Sequence, residues 1–242
     1  MNIHGRNPVI EALKAGKEIS KIYFRYGTHG QVLKQIEHLA RKAGVPTVTL
    51  PKQKFDRLEG GNDPAAQGVV ALIEDVRIYE LDDLLEIEKE QDPPFFVALD
   101  SITDPHNVGA IIRSAECAGA HGIILPKHDT PPLTDVVMKA SAGAATHIPI
   151  AKVTNLRTAL EKMKTAGIWI AGLAGEGEVD LFTLDGFKPL CIVVGSEGRG
   201  IRPTNLKACD ELVRIPMWGR IESLNASVAA AVAMYEVRRK RV

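Results

Sequence analysis

A chain of 242 residues with 45% hydrophobic and 25% charged side chains can build one large or two smaller domains, and this usage excludes disordered and fibrous classes. Thirty Lys and Arg balance thirty Asp and Glu, so the whole-chain charge gives no argument for a polyanionic partner. Cys117, Cys191 and Cys209 are odd in number and lack CxxC spacing, which excludes a disulfide framework or zinc cluster and leaves buried, reduced thiols as the expectation.

Residues 1–75 alternate short helical and strand patterns. A helix is expected near Pro8–Ala15, a strand at 21–24, a helix over Gln31–Lys42, a strand at 47–50, a short helix after Pro51 and a strand at 68–73. This reads as a small α/β unit with eleven basic against eight acidic residues. Tyr23, Phe24 and Tyr26 beside its first strand suit either a core or stacking on unpaired bases. Residues 76–94 carry two basic against seven acidic residues and end in Asp92-Pro93-Pro94, where proline geometry favours an extended connector. A linker is expected there, with a short helix at Leu81–Lys89.

From residue 95 to 242 strands alternate with helices. Strands are expected at 95–100, 122–126, 147–153, 169–174, 190–195 and 211–217, and helices at Val108–Ala118, Asp135–Ala142 and 156–167, with one more closing the chain. Nearly continuous apolar strands among helices predict an α/β fold with a mostly parallel sheet covered on both faces. Such sheets bind ligands beyond the carboxyl ends of their strands, and three of those ends here carry unusual loops.

The first runs from Asp100 through Asp104-Pro105-His106-Asn107 to Arg113 and Glu116. Asn107 is suited to cap the following helix, and Arg113 and Glu116 share a helical face, a spacing that serves a surface ion pair equally well. The second, Gly195-Ser196-Glu197-Gly198-Arg199-Gly200, lets backbone approach a ligand closely, although a glycine-rich turn alone is weak evidence. It is not GxGxxG, which disfavours a dinucleotide oxidoreductase, and no GxxxxGK[ST] loop occurs. The third, from Ile215 and Met217 through Ser223-Leu224-Asn225, leads into an alanine-rich helix. No metal-ligand spacing and no Ser-His-Asp or Cys-His set appears, so neither a metal nor covalent catalysis is expected. The basic excess of residues 1–75 and the terminal run Arg238-Arg239-Lys240-Arg241 are electrostatic hints of RNA contact, and each suits a solvated surface equally well. No apolar run is long enough to span a bilayer, and the opening residues lack a signal-peptide core, so a cytoplasmic protein without membrane association is expected.

Taken in order, DPHNVGAIIRSAE, IVVGSEGRGI and IPMWGRIESLNASVA resemble the three signature motifs of the SpoU/TrmH branch of the SPOUT RNA methyltransferases. The front unit is similar to the ribosomal-protein-like substrate-binding unit of RlmB-like 23S rRNA members. The resemblance implies a trefoil-knotted carboxyl-terminal domain, a homodimer, and S-adenosylmethionine as cofactor for 2′-O-methylation of a ribose, a guanosine of 23S rRNA by analogy. It implies a catalytic set of Asn107, Arg113, Ser223 and Asn225, with Glu116 orienting the arginine or linking subunits. It places the cofactor against backbone at Gly195, Ile215 and Leu224, with Glu197, Gly198, Gly200 and Met217 close by. A tRNA ribose methyltransferase and a non-catalytic RNA-binding protein on the same scaffold are the alternatives.

Overall fold

The computed structural model describes residues 2–16, 19–58, 67–73, 76–87 and 92–242, and the chain divides into two compact units, Met1–Asp75 and Val76–Val242. The amino-terminal unit contains β1 (Asn2–His4), α1 (Arg6–Lys14), β2 (Ile19–Arg25), α2 (Gln31–Lys42), β3 (Thr47–Leu50), α3 (Lys52–Leu58) and β4 (Val69–Ile73). Its sheet has the order β1-β4-β2-β3, with β2 and β3 parallel and β4 antiparallel to both β1 and β2. Leu33, Ile36 and Ala40 of α2 recur at helical spacing and are buried with Val9, Ile22 and Val69, while Phe55 of α3 covers Val70 on the opposite face. The three residues of β1 are too few to show an alternating pattern in the sequence.

The larger unit contains β5 (Ile78–Tyr79), α4 (Leu81–Leu85), β6 (Phe95–Asp100), α5 (Pro105–Cys117), β7 (Gly122–Pro126), α6 (Asp135–Ala140), β8 (Ile150–Val153), α7 (Leu156–Thr165), β9 (Trp169–Leu173), β10 (Val179–Asp180), β11 (Leu190–Gly195), α8 (Pro203–Leu206), β12 (Glu211–Arg214) and α9 (Ala226–Lys240). Eight strands in the order β10-β12-β9-β11-β6-β7-β8-β5 form one sheet, and every adjacent pair is parallel. Within the acidic segment, Ile78 and Tyr79 pair with β8 as an edge strand, so its first half is packed as part of this unit. The last residues of the helix expected at Leu81–Lys89 lie outside the described residues.

Two cores flank the sheet, and strand alternation assigns each side chain to one of them. Phe95, Val97 and Leu99 of β6, with Leu190, Ile192 and Val194 of β11, face α5 and α9; Phe96, Ala98, Cys191 and Val193 face α7. Two strands are shorter than expected. The His147 and Ile148 amides both donate to the Ala144 carbonyl in a preceding turn, so β8 starts only at Ile150. After β12 stops at Arg214, Pro216 has no N–H with which to extend the ladder.

Of the terminal cations, three are turned inward. Arg238 donates to the Ala118 and Gly119 carbonyls and pairs with Asp92, and Lys240 donates to the Phe182 and Leu184 carbonyls. Arg241 donates to the Pro93, Gly186 and Lys188 carbonyls and lies over the Phe95 ring. Only Arg239, paired with Glu236, stays largely exposed. The run is therefore an internal tie that anchors α9 to the amino-terminal edge of the sheet. Arg241→Ala is expected to cost about 2–3 kcal/mol, since charge-assisted bonds are lost and carbonyls left behind, which a urea titration of the full chain measures.

The cysteines differ from expectation at one position. Cys191 is fully buried and Cys209 partly so, and burial pushes the Cys209 thiol up to about 12 and that of Cys191 still higher. Cys117 is exposed, because it falls on the outward side of the last turn of α5. No helix among the described residues is long and apolar enough to cross a membrane.

Candidate active site

The carboxyl ends of β6 and β11 lie side by side at the centre of the sheet, so the loops that follow them meet. Asp100 ends β6 with its side chain fully buried. It accepts hydrogen bonds from the backbone N–H of Arg202 (2.7 Å), from Arg202 Nε (2.7 Å), from Asn205 Nδ2 (2.7 Å) and from the Ser101 hydroxyl (3.1 Å). Arg202 also reaches Asp129, in the loop after β7, at 3.2 Å. One guanidinium thus fastens the loops of three adjacent strands, and Ser101 and Asp129 both hold left-handed φ values of 59° and 63° beside it. The sequence reading missed this clamp. Arg202 and Asn205 stand just past the glycine-rich loop, and only the pairing of β11 with β6 brings them to Asp100.

Helix α5 begins three residues earlier than the periodicity suggests. Pro105 occupies its first position and Asp104 is the N-cap, accepting from the His106 amide at 2.9 Å. Asn107 is therefore not the cap. Relieved of that task, its amide donates to Glu197 Oε1 at 3.1 Å and accepts at Oδ1 from Asn225 Nδ2 at 3.0 Å. Asn225 is itself the N-cap of α9, where its Oδ1 accepts from the amides of Ser227 and Val228 and from the Ser227 hydroxyl. With the oxygen so engaged, its amide nitrogen must face Glu197, to which it also donates. The Ala226 amide adds a third bond to the same carboxylate oxygen at 3.3 Å. Three loops far apart in the sequence are joined at Glu197.

The glycines of the second loop have separate reasons. A Cβ on Gly195 would lie 2.1 Å from the Gly200 carbonyl carbon, and Gly198 and Gly200 hold φ of 79° and 65°. Ser196 and Gly200 close the loop as a β-bridge. Beyond β12, none of residues 215–224 takes part in a hydrogen bond among the described residues. Ile215 is half-buried, whereas Met217, Ser223 and Leu224 are exposed, as are Trp218 and Ile221. A stretch of free backbone donors and acceptors with apolar side chains beside it suits a flat heterocycle read by its hydrogen-bonding edge.

Arg113 lies six residues beyond Asn107 on α5, about 9 Å along the axis, and is exposed. Glu116 is exposed as well, and no ion pair joins the two. The fold therefore brings together Asn107, Glu197 and Asn225, and sets Gly195, Gly198 and Gly200 in the same loop as Glu197. It leaves the side chains of Arg113, Glu116 and Ser223 without hydrogen bonds to described residues.

A parallel α/β unit whose strand-end loops form such a cradle, following a separate small α/β unit, has the organisation of an RNA methyltransferase. Residues 2–79 match a model described as RNA 2'-O ribose methyltransferase substrate binding. Residues 94–235 match the SpoU rRNA Methylase family, and the chain belongs to that family, as an RNA 2′-O-ribose methyltransferase. A Bacillus subtilis (strain 168) protein named as a TrmH family tRNA/rRNA methyltransferase is 44% identical, covering 98% of this chain and 94% of its own. The AdoMet-bound rRNA methyltransferase of Sinorhizobium meliloti superposes with a TM-score of 0.66 at 29% identity, over 98% of this chain and 86% of that one. The SpoU methyltransferase AviRb of Streptomyces viridochromogenes, in complex with AdoMet, gives 0.65 at 26% identity, over 100% and 90%.

Proposed function

We propose that the chain methylates the 2′-hydroxyl of a guanosine ribose in 23S rRNA, with S-adenosylmethionine as donor, as a homodimer whose carboxyl-terminal domain is knotted. The observation that carries the reading is the junction of Asn107, Glu197 and Asn225 beside the unbonded backbone of residues 215–224. An rRNA substrate is favoured over tRNA by the amino-terminal unit and by the rRNA methyltransferase of S. meliloti, whose likeness spans both units.

The residues present fit the donor. Gly195 lets the Gly200–Ile201 backbone close tightly over it and so shapes the loop, and free N–H and C=O groups between Ile215 and Leu224, with the exposed Met217 among them, can read an adenine edge. S-adenosylmethionine supplies a methyl group already activated on a sulfonium. What remains for the protein is alignment, which is worth up to about 7–11 kcal/mol for well-placed reactants. Asn107, Ser223 and Asn225 fix the ribose and the donor end, with Glu197 holding the two asparagines in register. Arg113 grips the RNA phosphate and stabilises the forming alkoxide; a guanidinium with a pKa above about 12 does not serve as the free base. Glu116 belongs to the subunit contact, together with the exposed Trp218, Ile221, Val228 and Tyr235.

Gly195→Ala is expected to weaken S-adenosylmethionine binding at least about tenfold by calorimetry, because the clash is with backbone that cannot rotate away. The substrate is tested by mapping ribose methylation in rRNA and tRNA from cells with and without the gene. Loss at one 23S guanosine supports the reading, and loss confined to tRNA overturns the choice of RNA.

A further inference from the structure

We infer that RNA docks on the carboxyl end of the small sheet, with an unpaired base stacked on Tyr26 and its flanking phosphates held by Arg6, Arg25 and Lys52. This rests on the reading of the chain as an RNA methyltransferase and adds where the substrate is gripped.

Since β4 runs antiparallel to both β1 and β2, and β3 parallel to β2, the strands β1, β2 and β3 all end on one side. Hydrogen bonds draw the loops after them together. Gly5 N–H donates to the Val69 carbonyl (3.2 Å), Arg6 Nε to that of Gln67 (3.1 Å), Arg25 N–H to that of Gly68 (3.0 Å) and Tyr26 N–H to that of Leu50 (2.8 Å). Residues 5–6, 25–26, 50 and 67–68 are thereby neighbours, and Lys52 follows Leu50 by two positions.

Within this end the aromatic residues separate. Phe24 is only 6% exposed and belongs to the core, and Tyr23 packs beside Phe55 on the other face. Tyr26, one residue past the end of β2, is 77% exposed. Its backbone amide is satisfied by Leu50, so its position is fixed while the ring remains in water. An apolar ring held out of the core adds nothing to folding, whereas a ring offered to bases contributes strongly to single-strand binding.

The surroundings carry the complementary charge. Arg25 is steadied by a bond from Nε to the Thr28 hydroxyl (3.4 Å), and Arg6 by its bond to Gln67; among the described residues neither has a carboxylate partner. Lys52 is exposed. None of the described residues at 5–7, 25–31, 50–53 and 67–68 is acidic. A fixed, exposed ring among cations, with no carboxylate at these described positions, matches unpaired RNA: stacking takes the base and the basic groups take the backbone.

The test uses the full chain and fluorescence anisotropy with two labelled probes, an RNA hairpin with an unpaired loop and a blunt RNA duplex of the same length. Tyr26→Ala is expected to weaken hairpin binding about tenfold or more and leave the weaker duplex binding unchanged, whereas Tyr26→Trp retains the wild-type preference. Arg25→Gln combined with Lys52→Gln is expected to weaken both probes and flatten the salt dependence. Hairpin binding by Tyr26→Ala at the wild-type level, or equal binding of the two probes by the wild-type chain, overturns the inference. Calorimetry of the same variants with S-adenosylmethionine separates the two ideas. Uptake of the donor without hairpin binding defeats the docking end alone, and Tyr26-dependent hairpin binding without uptake defeats the methylation reading alone.

Discussion

Arg113→Ala is expected to lower methyl transfer at least about 100-fold while S-adenosylmethionine affinity stays at the wild-type value. The structure gives the reason for this separation. Arg113 is exposed on α5 and bonds to none of the residues that form the cradle, so its removal leaves the junction of Asn107, Glu197 and Asn225 intact. In the proposed mechanism its charge acts where negative charge develops in the transition state, and there a single well-placed donor is commonly worth about two to three powers of ten. Arg113→Lys is expected to recover little of the rate, because an ammonium lacks the planar fork that grips a phosphate. Single-turnover transfer to rRNA from a strain lacking the gene, alongside calorimetric binding of the donor, checks both halves. Near wild-type turnover by Arg113→Ala would remove the residue from the chemistry.

Asp100→Ala should reduce stability by about 3 kcal/mol, seen as a fall of roughly 10 °C in the melting temperature of the larger unit. Asp100 is wholly buried and accepts four hydrogen bonds, two of them from Arg202. Without it the Asn205 amide, also buried, loses its acceptor, and such a loss costs more than the bond itself was worth. The cost remains below that of a fully buried ion pair, since the Arg202 side chain is 42% exposed and can be rehydrated. Because the same group fastens the loops after β6, β7 and β11, donor affinity should fall along with stability. Differential scanning calorimetry with and without the donor reports the two effects together.

Much of the fold was legible because burial writes itself into the sequence as periodicity. The alternate residues of 95–100 and 190–195 belong to two different cores, and a strand buried on both faces shows as an unbroken apolar run. Helices α2 and α7 carry apolar residues at helical spacing with polar ones between. The edge strands β1, β5 and β10 went unseen, as two or three residues establish no period. The start of α5 was misjudged for a related reason: Asp104-Pro105 and Asn107 are both plausible helix starts in one dimension, and only the bond made by Asp104 decides between them. The terminal cations misled as well, since a run of basic residues looks the same whether it faces water or a set of backbone carbonyls.

The sequence by itself determined the longer elements, the parallel sheet and the three loops in which chemistry is to be sought, because local spacing records which side chains must be buried and where the backbone must turn. Only the tertiary structure decided which loops touch. Pairing of β11 with β6 sets Glu197 between Asn107 and Asn225, residues separated from each other by 118 positions, and sets Arg202 on Asp100. Those contacts come from strand order, a long-range choice made by the packing of two cores, and no periodicity along the chain encodes it.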